Sequence, residues 1–174
     1  MKVVVLAGPE SAGKSRLAEA LHRRFGGVRV DEYVRRYYAQ LGRETTLADI
    51  TPIAQGQLAE EDAARALHPR LLILDTHLLS NRLWSLVLFD QCPAWIEPAL
   101  LARHYDLTLL LSPEGMPWVD DGQRCQPALA DRAAFHAASR QWLAEHRQCF
   151  IELGGSWPER EAAAFEYVSK SLGA

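Results

Sequence analysis

The chain has 174 residues, of which 48% are hydrophobic and 24% charged, and a formal net charge of −3 at neutral pH. That length predicts one domain whose interior needs no disulfide or metal staple. The weak negative charge argues against a general nucleic-acid or anionic-membrane binder, while leaving room for a local basic pocket.

No stretch approaches the roughly 18 apolar residues of a membrane span. The apolar start runs within a few residues into a glycine-rich loop, unlike a secretory leader. The 3 cysteines, Cys92, Cys125 and Cys149, are scattered and form no C-x-x-C. Neither a disulfide framework nor structural zinc is expected, and a reducing cytoplasm fits.

Residues 1–7 read as a buried strand. They lead into Gly8-Pro9-Glu10-Ser11-Ala12-Gly13-Lys14-Ser15, which fits the phosphate-binding pattern G-x-x-x-x-G-K-[ST]. Its glycines let the backbone curl so that several N–H groups converge on one anion. The amides of Gly8, Glu10, Ser11, Ala12 and Gly13 are therefore candidates for binding the phosphates of ATP. Lys14 adds a charge for the β- and γ-phosphates, and the Ser15 hydroxyl is a candidate Mg²⁺ ligand. A helix over 14–25 follows, with Leu17, Ala20, Leu21 and Phe25 on one face, and Gly26-Gly27 stops it.

Residues 28–30 form a short second strand with Asp31 and Glu32 at its C-terminal end, where ligands bind in open α/β sheets. A helix over 33–41 carries Tyr33, Arg35, Arg36, Tyr37 and Tyr38. Thr51-Pro52 reads as the start of the next helix, which runs to about residue 67. Its expected inward residues are Ile53, Leu58, Ala63 and Leu67, and its polar face carries Gln55, Gln57, Glu60 and Glu61.

Residues 70–75 are a third strand, apolar on both faces as a central parallel strand should be. It closes on Asp75, a Walker-B-like placement that makes Asp75 a candidate metal ligand. Helices over 78–89 and 93–103 and a fourth strand over 106–111 follow. Residues 112–130 hold Pro113, Pro117 and Pro127 and the run Asp120-Asp121-Gly122-Gln123-Arg124. A loop that long inside a domain is usually functional, and we read it as a lid. Asp131 is expected to cap a helix to about residue 146, before a fifth strand over 148–153. Ser156 and Glu159 suggest a capping box for the last helix. Five strands alternating with helices predict a five-stranded parallel α/β sheet covered on both faces.

These motifs resemble the ribosylnicotinamide kinase domain of the NadR-type family. The likeness rests on G-P-E-S-A-G-K-S, on Glu32-Tyr33-Val34-Arg35-Arg36-Tyr37, on Asp75-Thr76 with Trp84-Ser85, and above all on Pro117-Trp118-Val119-Asp120-Asp121-Gly122-Gln123-Arg124. The resemblance implies a P-loop kinase fold and ATP- and Mg²⁺-dependent phosphorylation of nicotinamide riboside to nicotinamide mononucleotide. His77 stands where the family has a second acid. The larger family members' DNA-binding and adenylyltransferase domains are not expected here, for lack of room.

On that reading Glu32 is the candidate general base. Asp31 is an alternative for that role or for the ribose hydroxyls, and Asp75 is a rival base. Arg124 is the lid cation expected to close over the transferring phosphate, with Arg132 and Arg35 as further candidates. Asp120 and Asp121 would hold the lid or bind ribose. Trp84 and Trp118 could stack on a cationic nicotinamide ring, with Tyr37 near, and core packing is the alternative for Trp84. Trp95, Trp142 and Trp157 read as packing, Trp157 with a possible place beside adenine. The expected partner is a nucleoside-like small molecule, with no nucleic acid or membrane, and a homo-oligomer is compatible with the sequence.

Overall fold

A computed structural model of the protein describes residues 1–173. Its elements in chain order are β1 (Lys2–Ala7), α1 (Lys14–Phe25), β2 (Val28–Val30), α2 (Tyr33–Leu41), α3 (Leu47–Ala66), β3 (Leu71–Asp75), α4 (Leu78–Phe89), α5 (Ile96–Leu101), β4 (Leu107–Leu111), α6 (Leu129–Glu145), β5 (Phe150–Leu153) and α7 (Trp157–Leu172). The strands form a single sheet in the order β2-β3-β1-β4-β5. Every pairing is parallel, with Leu6 opposite Asp75 and Ala7 opposite Leu110.

The side-chain alternation of β1 divides the core. Val3, Val5 and Ala7 join Ile50, Ala54, Leu78, Leu79, Phe135 and Trp142 from α3, α4 and α6. Val4 and Leu6 join Leu17, Leu21, Ala164 and Val168 from α1 and α7. Strands buried on both faces explain the apolar runs of β1, β3 and β4, broken only by Thr108 in β4. The order also directs the site. From β1 the chain goes out past β3 to edge strand β2, then from β3 back across β1 to β4. The carboxyl ends of β1 and β3 therefore border the place where the winding reverses, and open α/β sheets bind ligands there.

Helices α1, α2 and α4 lie where the sequence predicts them, but α3 differs. It begins at Leu47, with Thr46 as N-cap and a capping box to Asp49, and Pro52 lies inside it. Thr51 is therefore not the cap, and its hydroxyl accepts the Trp95 indole N–H at 3.4 Å. The buried stripe is Asp49, Ile50, Ile53, Ala54, Gln57, Glu61 and Ala64, a helical repeat that includes three polar residues. Leu67, expected inward, is exposed, as is Ala63. Gln57 turns inward because its Oε1 accepts the Tyr33 backbone N–H at 2.9 Å, capping α2 from a neighbouring helix. Glu61 is buried among Arg65, Arg103 and Tyr105.

Helix α5 is shorter than expected. Helix α6 starts at Leu129 with Ala128 as N-cap, so Asp131 contributes charge to the first turn rather than a cap. The Ser156–Glu159 capping box of α7 is present.

Candidate functional site

The phosphate loop connects β1 to α1. Gly8 has φ 128° and Gly13 φ 93°. A side chain at Gly8 would collide with the Leu111 carbonyl, and one at Gly13 would strike the Trp157 ring. The loop is thus held between the end of β4 and the start of α7. Helix α1 has no side-chain cap at Gly13 and no acidic residue in its first turn. Its terminal N–H groups and positive dipole end are left for an anion. Lys14 Nζ donates to the carbonyls of Gly8 at 3.0 Å and Pro9 at 2.8 Å, which holds the ammonium across the loop it serves.

The side chains inside the loop point elsewhere. Glu10, buried, accepts from the Trp118 indole at 2.7 Å and from the backbone N–H groups of Cys125 at 3.1 Å and Gln126 at 2.7 Å. Ser11 Oγ accepts from Arg124 Nη1 at 2.9 Å and from the Val119 N–H at 3.3 Å. The lid segment, residues 112–128, is thus fastened to the phosphate loop by two of the loop's own variable positions. Its other edge reaches α2, where Arg35 Nη1 donates to Asp121 at 2.8 Å. Asp121 also pairs with Arg124 Nε at 3.1 Å, so one lid carboxylate lies between two arginines. Burial pushes the Asp121 carboxyl up, but the Arg35 hydrogen bond and the remaining partners bring it below its ordinary value.

Asp75 ends β3 and is only 3% exposed. Desolvation, then the nearby Glu32 charge, pushes its carboxyl up to about 6, against opposing pulls from Lys14, a Ser15 hydrogen bond and Arg35. Its Oδ1 has no hydrogen-bond partner among the described residues. A hydroxyl and an unsatisfied buried carboxylate oxygen side by side suit a hard cation that keeps most of its waters, so Ser15 and Asp75 fit Mg²⁺.

Glu32 and Asp31 separate clearly. Glu32 is mostly shielded, pairs with Arg35 at 3.2 Å and lines the cavity beside the phosphate loop. Asp31 is largely exposed, pairs with Arg29 at 2.9 Å and borders a second cleft along β2, which Ser15, Glu32, Arg35 and Asp75 also line.

The cavity beside the phosphate loop, about 450 Å³, runs from Gly13, Lys14 and Ser15 past Glu32 and Arg35 to a chamber walled by Tyr38, Ile50, Ile53, Trp84 and Phe89, and lid residues 122–125 also line it. Trp84 packs 4.9 Å from Phe135 while lining this chamber, so it serves both core and cavity.

Other expected residues lie outside the lining. Tyr37 donates to Asp49 at 2.8 Å and ties α2 to α3. It is Tyr38, the next residue, that faces the chamber. Trp118 is the lid's anchor on Glu10, and Asp120 accepts the Gly122 N–H at 2.9 Å within a turn. Arg132 is buried beneath the lid and donates to the Met116 carbonyl at 3.2 Å, supporting its backbone. His77 is buried edge-on to Tyr105, with desolvation holding it neutral down to about 3.

Three groups escaped the sequence reading. Glu44 and Asn81 line the chamber. Arg160, fully buried, donates to the carbonyls of Ser112 and Glu114 at 2.6 Å and of Gly155 at 2.8 Å, fixing the start of the lid to the turn after β5. Nothing local marks Arg160, since its partners are backbone carbonyls, two of them 48 and 46 residues away in the chain.

Among the described residues no helix is long and apolar enough to cross a membrane, and no cluster of three or more His, Cys, Asp or Glu side chains is placed to hold a metal.

Residues 3–160 match the AAA domain family. Over 178 residues the chain is 26% identical to the trifunctional NAD biosynthesis/regulator protein NadR of Salmonella typhimurium, covering 99% of this chain and 43% of that protein. It is likewise 26% identical over 157 residues to NadR of Escherichia coli, covering 88% and 38%. The chain therefore spans less than half the length of the curated relatives it matches. A solved NadR protein in complex with NR shares the fold with a TM-score of 0.84 at 24% identity, over 99% of this chain and 52% of that one. Deoxyadenosine kinase from M. mycoides shares it with a TM-score of 0.67 at 12% identity, over 97% and 99%. With a Walker-type phosphate loop, a 2-3-1-4-5 parallel sheet and a lid fastened to the loop, the chain is similar in fold to the solved NadR protein, and by its match over residues 3–160 it belongs to the AAA domain family.

Proposed function

We propose that this chain is an ATP-dependent kinase that phosphorylates nicotinamide riboside to nicotinamide mononucleotide, as a cytoplasmic enzyme of NAD salvage. The observation that carries the reading is the single cavity joining the phosphate loop to an aromatic chamber that also holds Glu32 and Glu44. A flat ring with a positive charge suits aromatic walls and nearby carboxylates. The NR bound by the NadR structural neighbour supports the same class of acceptor.

In this reaction the N–H groups of the loop and of α1 hold the ATP phosphates, and Lys14 neutralises the β- and γ-oxygens. Ser15 and Asp75 would hold Mg²⁺, which when bound supplies further charge neutralisation. Glu32 takes the proton from the ribose hydroxyl as that oxygen bonds to the γ-phosphorus and ADP departs. Arg35 orients Glu32 through their ion pair. Arg124, held over the loop by Ser11, stabilises charge on the transferring group.

The test is ADP release with ATP and Mg²⁺ across a panel of nucleosides and nucleotides, with products identified. Turnover of nicotinamide riboside is expected. Turnover of a different acceptor alone would move the assignment to that acceptor, and ATP binding without any transfer would make the domain a nucleotide sensor.

A further inference from the structure

We propose that Asn81 reads the substituent on the acceptor's ring, pairing with a primary carboxamide and excluding a carboxylate; this rests on the kinase reading above. Asn81 lies on the second turn of α4, one turn before Trp84, and its side chain lines the cavity while only 9% exposed. Its Oδ1 has no hydrogen-bond partner among the described residues. Ile50, Ile53, Trp84, Leu88 and Phe89 line the same cavity. An amide oxygen left unsatisfied in such a place has lost its water without a replacement partner, and a ligand that supplies the missing donor recovers that cost.

The chemistry selects the ligand. An asparagine side chain sets a carbonyl beside an NH₂, the complement of another primary amide. A carboxylate has no N–H to give and would set oxygen against oxygen. The cavity's lining also includes Lys14, Arg16 and Arg124, but Lys14 is held on the phosphate loop by the Gly8 and Pro9 carbonyls, and Arg124 is engaged by Ser11, the Val119 carbonyl and Asp121. The carboxylates of the lining act in the same direction as the amide. Glu32 and Glu44 line the same cavity, with Glu44 accepting from the Tyr38 hydroxyl at 3.5 Å. They favour a cationic ring and oppose an additional anionic group on it. No cation on α4 compensates, because Arg82, beside Asn81, is engaged by Glu97 at 3.1 Å. Arg35 is already occupied by Glu32 and Asp121.

The experiment compares kcat/KM for nicotinamide riboside and for its carboxylate analogue in the wild type, Asn81→Leu and Asn81→Ser, with the KM for ATP and the melting temperature measured alongside. The wild type should prefer the carboxamide by roughly 100-fold or more. Both variants should raise the KM for the carboxamide acceptor by about 10- to 100-fold and bring the preference down towards unity, leaving the KM for ATP in place. Asn81→Ser is small and polar, so it keeps the test alive if Asn81→Leu does not fold. Equal use of the two acceptors by the wild type, or an unchanged preference in a folded variant, overturns the role of Asn81 while leaving the kinase reading standing. Failure of the wild type on both acceptors overturns the kinase reading and this inference together.

Discussion

The indole N–H of Trp118 donates to Glu10 at 2.7 Å, joining the phosphate loop to a lid residue 108 positions away. The same carboxylate takes two lid backbone N–H groups, from Cys125 and Gln126. Bonds to a shielded charge are worth more than neutral ones, at about 1.5–3 kcal/mol each. Glu10→Ala should therefore free the lid without disturbing the sheet. Hydrogen exchange is expected to rise at Cys125 and Gln126 while β1 and β3 stay protected. Unchanged protection at those two amides would show that the lid is held by something other than Glu10.

Asp75 gives the protein a pH dependence of defined sign. Its carboxyl is pushed up to about 6, chiefly by desolvation, so the folded state binds this proton more tightly than the unfolded state does. The stabilising contribution is complete below the ordinary carboxylate value near 4 and is lost as pH rises through about 6. The penalty at neutral pH is roughly 3 kcal/mol, at about 1.4 kcal/mol for each pH unit. In chelator, without nucleotide, Asp75→Asn should melt higher than the wild type at pH 7.5, and the two should converge near pH 4. Parallel melting curves across that range would remove desolvation as the cause.

Much of the fold is legible in the sequence. Apolar runs marked β1, β3 and β4 because a parallel strand is buried on both faces, and glycines marked the ends of α1 and α2. The failures share a cause. Gln57 and Glu61 face inward because their partners, Tyr33, Arg65, Arg103 and Tyr105, reach them from other elements. Hydropathy alone sends such residues to the surface. At the head of α3, Thr46-x-x-Asp49 was readable as a capping pattern, but Thr51-Pro52 gave a stronger local signal for a start five residues too late. In the site, the phosphate loop carries its own spacing, whereas the chamber is assembled from α2, α3 and α4. Periodicity could not choose between Tyr37 and Tyr38, nor promote Asn81 or Glu44.

Gly56 sets a close approach of α2 to α3. A Cβ there would overlap the Tyr33 ring. In an exposed helix Gly→Ala gains up to about 1 kcal/mol from propensity, whereas overpacking a filled contact costs about 1–3 kcal/mol. The steric effect should win, because the obstacle is the ring itself and Gln57 holds the backbone of that residue. Gly56→Ala is expected to lower stability by about 1–2 kcal/mol, and Tyr33→Ala in the same chain should abolish the clash. Stabilisation by Gly56→Ala alone, measured by denaturant unfolding, would mean that the Tyr33 ring moves aside freely.

Glu32 and Asp31 are adjacent, and their surroundings assign them different work. Glu32 lines the cavity and pairs with Arg35, while Asp31 points out to Arg29. Glu32→Gln keeps the shape and removes the carboxylate. If Glu32 takes the acceptor's proton, kcat should fall by about 10²–10⁴-fold, with the KM for ATP nearly unchanged because the loop and Lys14 are untouched. Asp31→Asn should stay within a few-fold of the wild type. The substitution at position 32 has a second readout. The Glu32 charge helps to raise Asp75, so Glu32→Gln should move the Asp75 titration towards the ordinary carboxylate range, visible by NMR in the metal-free protein. A large loss of turnover together with that shift identifies Glu32 as the carboxylate beside Asp75 in the reacting centre. Preserved turnover with the same shift transfers the base role to Asp75, and a loss in Asp31→Asn instead would mean that the acceptor enters through the cleft along β2.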